Sequence, residues 1–149
     1  MREITITTIE ELESLPAEII VSENVHITIR LKLTDQEIHQ PITIHHHQPG
    51  RESTLDVKIA LYGKSRLTMP VNITVHEGAD ATATDFHALV FLMSPQAKAQ
   101  VTPGMFIHER NIQSAAHGVV IKNIKPKDVY YLRARGLASH QAQELLIGM

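Results

Sequence analysis

The sequence predicts an all-β chain with a small helical end: a right-handed parallel β-helix of about 16 residues per rung, followed by a C-terminal helical hairpin. Three observations lead there. Stretches rich in Ile, Val and Thr alternate with polar residues. Large and small residues recur in columns at a step of sixteen. After Lys125 the pattern turns helical.

The first residues, Arg2 to Thr7, alternate and read as a short strand. Thr7 or Thr8 can cap a helix over Ile9–Leu15, with Glu10 and Glu11 placed as a capping box needs and Pro16 as the stop. Val25–Leu33, Ile42–Ile44 and Leu55–Leu61 alternate as half-buried strands do. Turn residues separate them, at Asp35-Gln36, Gln48-Pro49-Gly50, Gly63-Lys64, Glu77-Gly78 and Ser94-Pro95.

Sixteen-residue steps align Val57, Ile73, Leu89, Met105 and Ile121, and beside them Ile59, Val75, Phe91 and Ile107. Two further columns are in the same phase and mostly small: Ser65, Ala81, Ala97, and, after Leu67, Ala83, Ala99 and Ala115. An up-and-down barrel has no reason to keep a fixed register, whereas a coil does. Equivalent residues are then expected to stack about 4.8 Å apart, with Ile73, Leu89 and Met105 as successive core rungs. The expected organisation is residues 1–22 as strand and short helix, 23–124 as β-helix core and 125–149 as hairpin. In the hairpin, Pro126 suits a first helical position, Gly136 a stop and Ser139 the cap of a second helix, His140–Ile147. The hairpin is expected to pack across the end of the coil and protect a rung edge.

The 149 residues suffice for one core without crosslinks. A net charge of −2 argues against a broad nucleic-acid surface. The chain has no Cys, which excludes thiolate catalysis and Cys-ligated metal within it. No apolar run is long enough to cross a bilayer, and the expected location is the cytoplasm. No nucleophile elbow or phosphate loop is present.

Ten His residues raise the question of metal. On a strand, His45 and His47 share a face, and with Glu52 they mimic the first metal motif of cupins. That arrangement gives the alternative reading, a His-metal enzyme. His76-Glu77 and His108-Glu109 are expected two rungs apart, about 9.6 Å, as polar corners. The preferred constellation is Asp85, His87 and His117. Asp85 and His117 fall in one column with Val101 between them, and His87 lies one same-face step from Asp85.

Ala116-His117-Gly118, then Tyr131-Leu132-Arg133-Ala134-Arg135-Gly136-Leu137, then Ala142 and Leu145-Leu146, resemble the C-terminal segment of SufB/SufD proteins. The repetitive part, about Ile42 to Ile124, resembles their β-helix core more loosely. The resemblance implies iron–sulfur cluster assembly. In that family SufB and SufD pair through β-helix cores, C-terminal helices hold the SufC ATPase, and a cluster forms near the pair interface with a SufB Cys and nearby His and Glu. His117 matches a SufD-like interface residue, followed by Gly118, and His87 stands near the position of the motif's Cys. Tyr131, Leu132, Arg135, Gly136 and Leu145 would form the partner-docking helices. This chain is shorter than a full-length member, so the N-terminal domain is expected to be missing.

The expected function is therefore a non-catalytic assembly subunit. It would pair with a second copy through β-helix edges, with a SufC-like ATPase as a further candidate partner. It would bind no cluster alone and handle iron or a cluster transiently with a Cys-bearing partner.

Overall fold

The computed structural model describes residues 1–136 and 138–148. The elements in order are β1 (Arg2–Ile6), α1 (Ile9–Ser14), β2 (Glu18–Ile20), β3 (Val25–Thr34), β4 (Glu37–His39), β5 (Ile42–His46), β6 (Glu52–Tyr62), β7 (Arg66–Val75), β8 (Ala83–Leu92), β9 (Lys98–Ile107), β10 (Ser114–Asn123), α2 (Pro126–Arg133) and α3 (Ser139–Ile147). One sheet, A, runs β1-β3-β6-β8-β10. The other, B, has β2 beside β5, β5 and β4 along one side of β7, and β9 along its other side. Each of these pairings is parallel.

From β6 onward the chain passes from one sheet to the other with each strand, so neighbours within a sheet are a full turn apart. The result is a β-solenoid of about three turns, as the alternating stretches predict. Inward side chains from both sheets meet in one core: Leu55, Val57, Ile59 and Leu61 from β6, Leu67, Met69, Val71 and Ile73 from β7, and Phe86, Ala88 and Val90 from β8. Burying each large aliphatic side chain contributes roughly 1.5–3 kcal/mol.

The length of a turn differs from the expectation. Arg2 pairs with Val25, Ile27 with Leu55, Leu55 with Phe86 and Arg66 with Lys98. The first turn is the shortest, and the later ones approach twice the expected length. A sixteen-residue step is thus half a turn, and each such step crosses to the opposite sheet. Ile73 does lie beside Met105. Leu89 lies in the other sheet, between Lys58 and Val120. It points outward, because in β8 the even residues face the core.

β7 contains Pro70, which a central strand normally refuses because proline lacks the ladder N–H. The neighbouring strand explains its acceptance. Gln40 N–H donates to the Thr68 carbonyl at 2.9 Å, so residues of this parity in β7 face the β4–β5 side. β4 ends at His39 and β5 starts at Ile42, so Pro70 meets the break between them.

The two ends of the coil differ. Thr8 caps α1, its Oγ1 accepting the Glu11 N–H at 3.1 Å, and fully buried Leu12 closes the first turn of the core. At the far end, among the described residues, nothing follows β9 and β10 in their sheets. Phe106, Ile107, Val120 and Ile121 there are exposed.

The hairpin does not cap that end. Pro126 opens α2, and Lys125 N–H donates to the Asp128 carboxylate at 3.2 Å. α3 is capped by Ala138, whose N–H reaches Gln141 Oε1 at 2.9 Å, one position before the expected Ser139. Ile147 is buried against Ala60 and Phe91, with Tyr62, Leu89, Met93 and Ile124 around them. Lys32 Nζ stands 3.5 Å from Glu144 Oε1. The hairpin therefore lies on the outer face of sheet A. Burial there raises the Tyr62 hydroxyl pKa, and Glu144 adds to the rise. The physical reason is that Ala60 and Phe91 give this face an apolar patch, which Ile147 covers.

Inside the coil one polar line crosses the sheets. Fully buried His46 holds Ser53 Oγ through Nε2 at 2.7 Å, and Ser53 Oγ lies 2.8 Å from Thr84 Oγ1. His46 Nδ1 has no partner among the described residues. Burial lowers the His46 pKa from 6.5 to about 4.

Two expected outcomes follow from this packing. Val90→Asp places an unpaired charge in the core and should cost roughly 4 kcal/mol or more, enough to unfold the chain. Leu89→Asp should instead leave a cooperative thermal melt and expose the Lys125 junction to protease by loosening the hairpin. Equal unfolding by both would contradict the orientation of β8. For His46 the folded pKa lies below the unfolded value, so its contribution is intact above pH 6.5 and lost as pH falls toward 4. At pH 5 the loss is about 2 kcal/mol. Urea midpoints at pH 7 and pH 5 should therefore differ less in His46→Leu than in the parent; an unchanged difference would remove His46 as its source.

Candidate functional site

Thr84, Phe86 and Ala88 of β8 face the core, which sends Asp85 and His87 outward. His87 Nε2 lies 2.8 Å from Asp85 Oδ1. The ring N–H is not directed at that oxygen, so the contact is an ion contact when His87 is protonated rather than a directed hydrogen bond. Both side chains are partly in water, which keeps such a pair weak, at about 0–1 kcal/mol.

Opposite His87 stand Asp56 on β6 and Gly118 on β10. Gly118 makes room for the imidazole, since a Cβ there would sit 3.1 Å from His87 Nδ1. Asp56 is held by Arg30, Nη2 to Oδ2 at 2.9 Å. Together Arg30, Asp56, His87, Leu89, Gly118 and Val120 line a shallow groove on the outer face of sheet A.

His117 does not join Asp85. The register places Ala116 opposite Asp85 and His117 opposite Phe86. His117 is thus on the inward side of the last turn, exposed at the open end. Val101, expected between Asp85 and His117, is in sheet B opposite Met69. One sixteen-residue step crosses to the opposite sheet, and two steps overshoot the turn from β8 to β10 by one residue, which turns His117 to the other face.

A second group lies at the bend where sheet B gives way to sheet A. His45 and His47 share an outward face, as alternation predicts. Glu52 does not complete them. It begins β6 in sheet A, opposite Ala83, and its N–H binds the Asn24 side chain at 3.0 Å. His76 takes that place: His45 Nδ1 is 3.0 Å from His76 Nε2, and the His47 and His76 rings stack with centroids 4.0 Å apart. One ligand atom from each of the three falls within 4.8 Å of the others.

His108 continues the column one turn further, its ring centroid 6.5 Å from that of His76. The two are one rung apart rather than two, because the step from β7 to its neighbour β9 is a single turn. Partial burial lowers the His76 pKa, and His47, His45 and His108 lower it further. Glu18 Oε1 stands 3.6 Å from His45 Nε2. Alternation in the sequence marks each of these His residues as outward; only the pairing of β5, β7 and β9 as successive turns brings them together.

In the hairpin, Leu132 is half-buried, Arg135 is exposed, and Gly136 takes a φ of 94° just past α2. Tyr131 lies within α2, Leu145 is exposed on α3, and Tyr130 is exposed on α2. Leu137, part of the motif, lies outside the described residues. Among the described residues no helix is long and apolar enough to cross a membrane.

A three-turn parallel coil with a C-terminal helical hairpin, carrying carboxylate and imidazole groups and no thiol, is the class of protein that this geometry defines. The family described as SUF system FeS cluster assembly, SufBD core domain, matches residues 22–148, and the chain belongs to it. Iron-sulfur cluster assembly SufBD family proteins of Mycobacterium bovis and Mycobacterium tuberculosis are 27% identical over 119 residues, which covers 75% of this chain. The match spans 30% of the length of those relatives.

Proposed function

We propose that this chain is a non-catalytic pairing subunit of iron–sulfur cluster assembly, joined to a second copy through the open end of its coil. The observation that carries this reading is the asymmetry of the ends. α1 closes the first turn with Leu12, whereas β9 and β10 end in exposed Phe106, Ile107, Val120 and Ile121. Edge strands of this kind expose unpaired N–H and C=O groups beside apolar side chains, and a second edge satisfies both. A two-fold pairing of like edges is the closed arrangement. It would bring two copies of His117 near the junction, with His87 and Asp85 one strand away.

Membership of a cluster-assembly family supports a role in handling iron or clusters. The donors on this face are imidazole and carboxylate, so a cluster held there would need thiolates from a Cys-bearing partner. The exposed Tyr130 and Leu145 of the hairpin offer a second surface, the one on which a SufC-like ATPase would dock.

Sedimentation at micromolar concentration should give about twice the chain mass, and Val120→Lys with Ile121→Lys should return it to one. A soluble monomer of the parent chain would contradict the pairing. Anaerobic reconstitution of the chain alone with iron and sulfide should yield no stable cluster by absorption. With a Cys-bearing partner present, cluster formation should weaken on His117→Ala. A stable stoichiometric cluster on the isolated chain would overturn the non-thiolate argument.

A further inference from the structure

Away from the open edge of sheet A, the bend after β5 and β7 gathers three imidazoles. We propose that His45, His47 and His76 form a binding site for a divalent first-row transition cation, with zinc or ferrous iron as the fitting class.

The spacing supports it. A zinc ion holds imidazole nitrogens at about 2.0–2.1 Å, which puts ligand atoms roughly 3.3 Å from one another in a tetrahedral shell. Here His45 Nδ1 and His76 Nε2 are already 3.0 Å apart, and the ligand atoms of all three lie within 4.8 Å. His47 is exposed, so a change of its rotamer is the movement that would close the remaining distance.

The backbone supplies the rest. His45 and His47 are fixed on one face by alternation along β5, and His76 is fixed beside them because its N–H donates to the His46 carbonyl at 2.9 Å. Two ligands thus come from one strand end and the third from the next turn, so the site requires the folded coil.

Glu18 adds a supporting group. Its carboxylate faces His45 Nε2 at 3.6 Å, so a proton on that nitrogen leaves the Nδ1 lone pair directed at the cluster. Carboxylate–imidazole–metal chains fix tautomer and raise basicity through a hydrogen bond, which a small rotation of the exposed Glu18 side chain would complete here. Without a cation, the short His45–His76 contact needs an N–H on one ring; for both nitrogens to ligate, that ring takes its other tautomer, with the proton on the nitrogen facing away from the cluster and no net release. Partial burial and the neighbouring rings favour the neutral imidazole at His76, the form that ligates. Imidazole ligands suit zinc and iron, whereas magnesium and calcium prefer oxygen.

The test is equilibrium dialysis of the full chain against zinc chloride, and anaerobically against ferrous sulfate, with metal read by elemental analysis. One equivalent per chain is expected for at least one of the two cations. His76→Ala should weaken binding at least tenfold, and His140→Ala, on the exposed side of α3, should leave it unchanged. Circular dichroism checks that the variants fold, as the outward position of His76 predicts. Cobalt substitution gives a second readout, with visible bands of a tetrahedral nitrogen-ligated ion in the parent and none in His76→Ala. Binding that is absent with both cations, or equal in parent and His76→Ala, would overturn the site. Because the site lies away from β10, its outcome is independent of whether the coil pairs with a second copy.

Discussion

Each inner strand of this coil satisfies its backbone polar groups with the turn before and the turn after. That constraint governs the remaining features. A parallel ladder fixes register, and register fixes which side chains stack, so Ile27, Leu55 and Phe86 meet in one interior column although they are far apart along the chain. The same rule explains Pro70, whose missing N–H falls where the adjacent strand is broken. It also makes the two ends the weak points, because a terminal strand has a neighbour on one side only.

The ends are treated differently, and the candidate site follows from that difference. A short helix seals the first turn with Leu12. The last turn leaves apolar side chains and the edge of β10 exposed, and the hairpin that could have covered them lies on the outer face of sheet A with Ile147. His117 stands at this open end, and Asp85 and His87 occupy the neighbouring strand on the outer face. The imidazoles of His45, His47 and His76 are on a different surface, where the chain bends out of sheet B. One scaffold thereby carries two separate groups of polar side chains, each positioned by strand alternation and by the stacking of turns.

Much of this was legible in the sequence. Alternation over Val25–Leu33 and Leu55–Leu61 gave the strands, the phased columns gave the coil, and Pro126 and Gly136 gave the hairpin. The turn length was not legible, because a two-sheet coil repeats its pattern every half turn when both sheets share one inward parity. Val57 and Ile73 keep that parity and both are buried; Leu89 breaks it, because β8 presents its even residues to the core. The bend before β8, where Ala81 adopts a φ of 56°, takes up the shift. The error in turn length separated His47 from His76, whose spacing is no multiple of sixteen. His117 was joined to Asp85 for a different reason: two sixteen-residue steps overshoot the turn from β8 to β10 by one residue, which puts the two side chains on opposite faces. The seat of the hairpin depended on Ala60 and Phe91 forming an outward apolar patch, which alternation alone does not reveal.

The chain has no native cysteine, so introduced pairs report register without interference. The decisive measurement is disulfide formation under mild oxidation in two double variants. Glu52→Cys with Ala83→Cys joins residues paired in neighbouring strands of sheet A, where strands about 4.8 Å apart allow a disulfide. Glu52→Cys with Thr68→Cys joins residues sixteen apart, which the coil puts in opposite sheets. The observed register predicts a crosslink in the first variant and none in the second. A crosslink in the second with none in the first would mean a sixteen-residue turn and would contradict this fold.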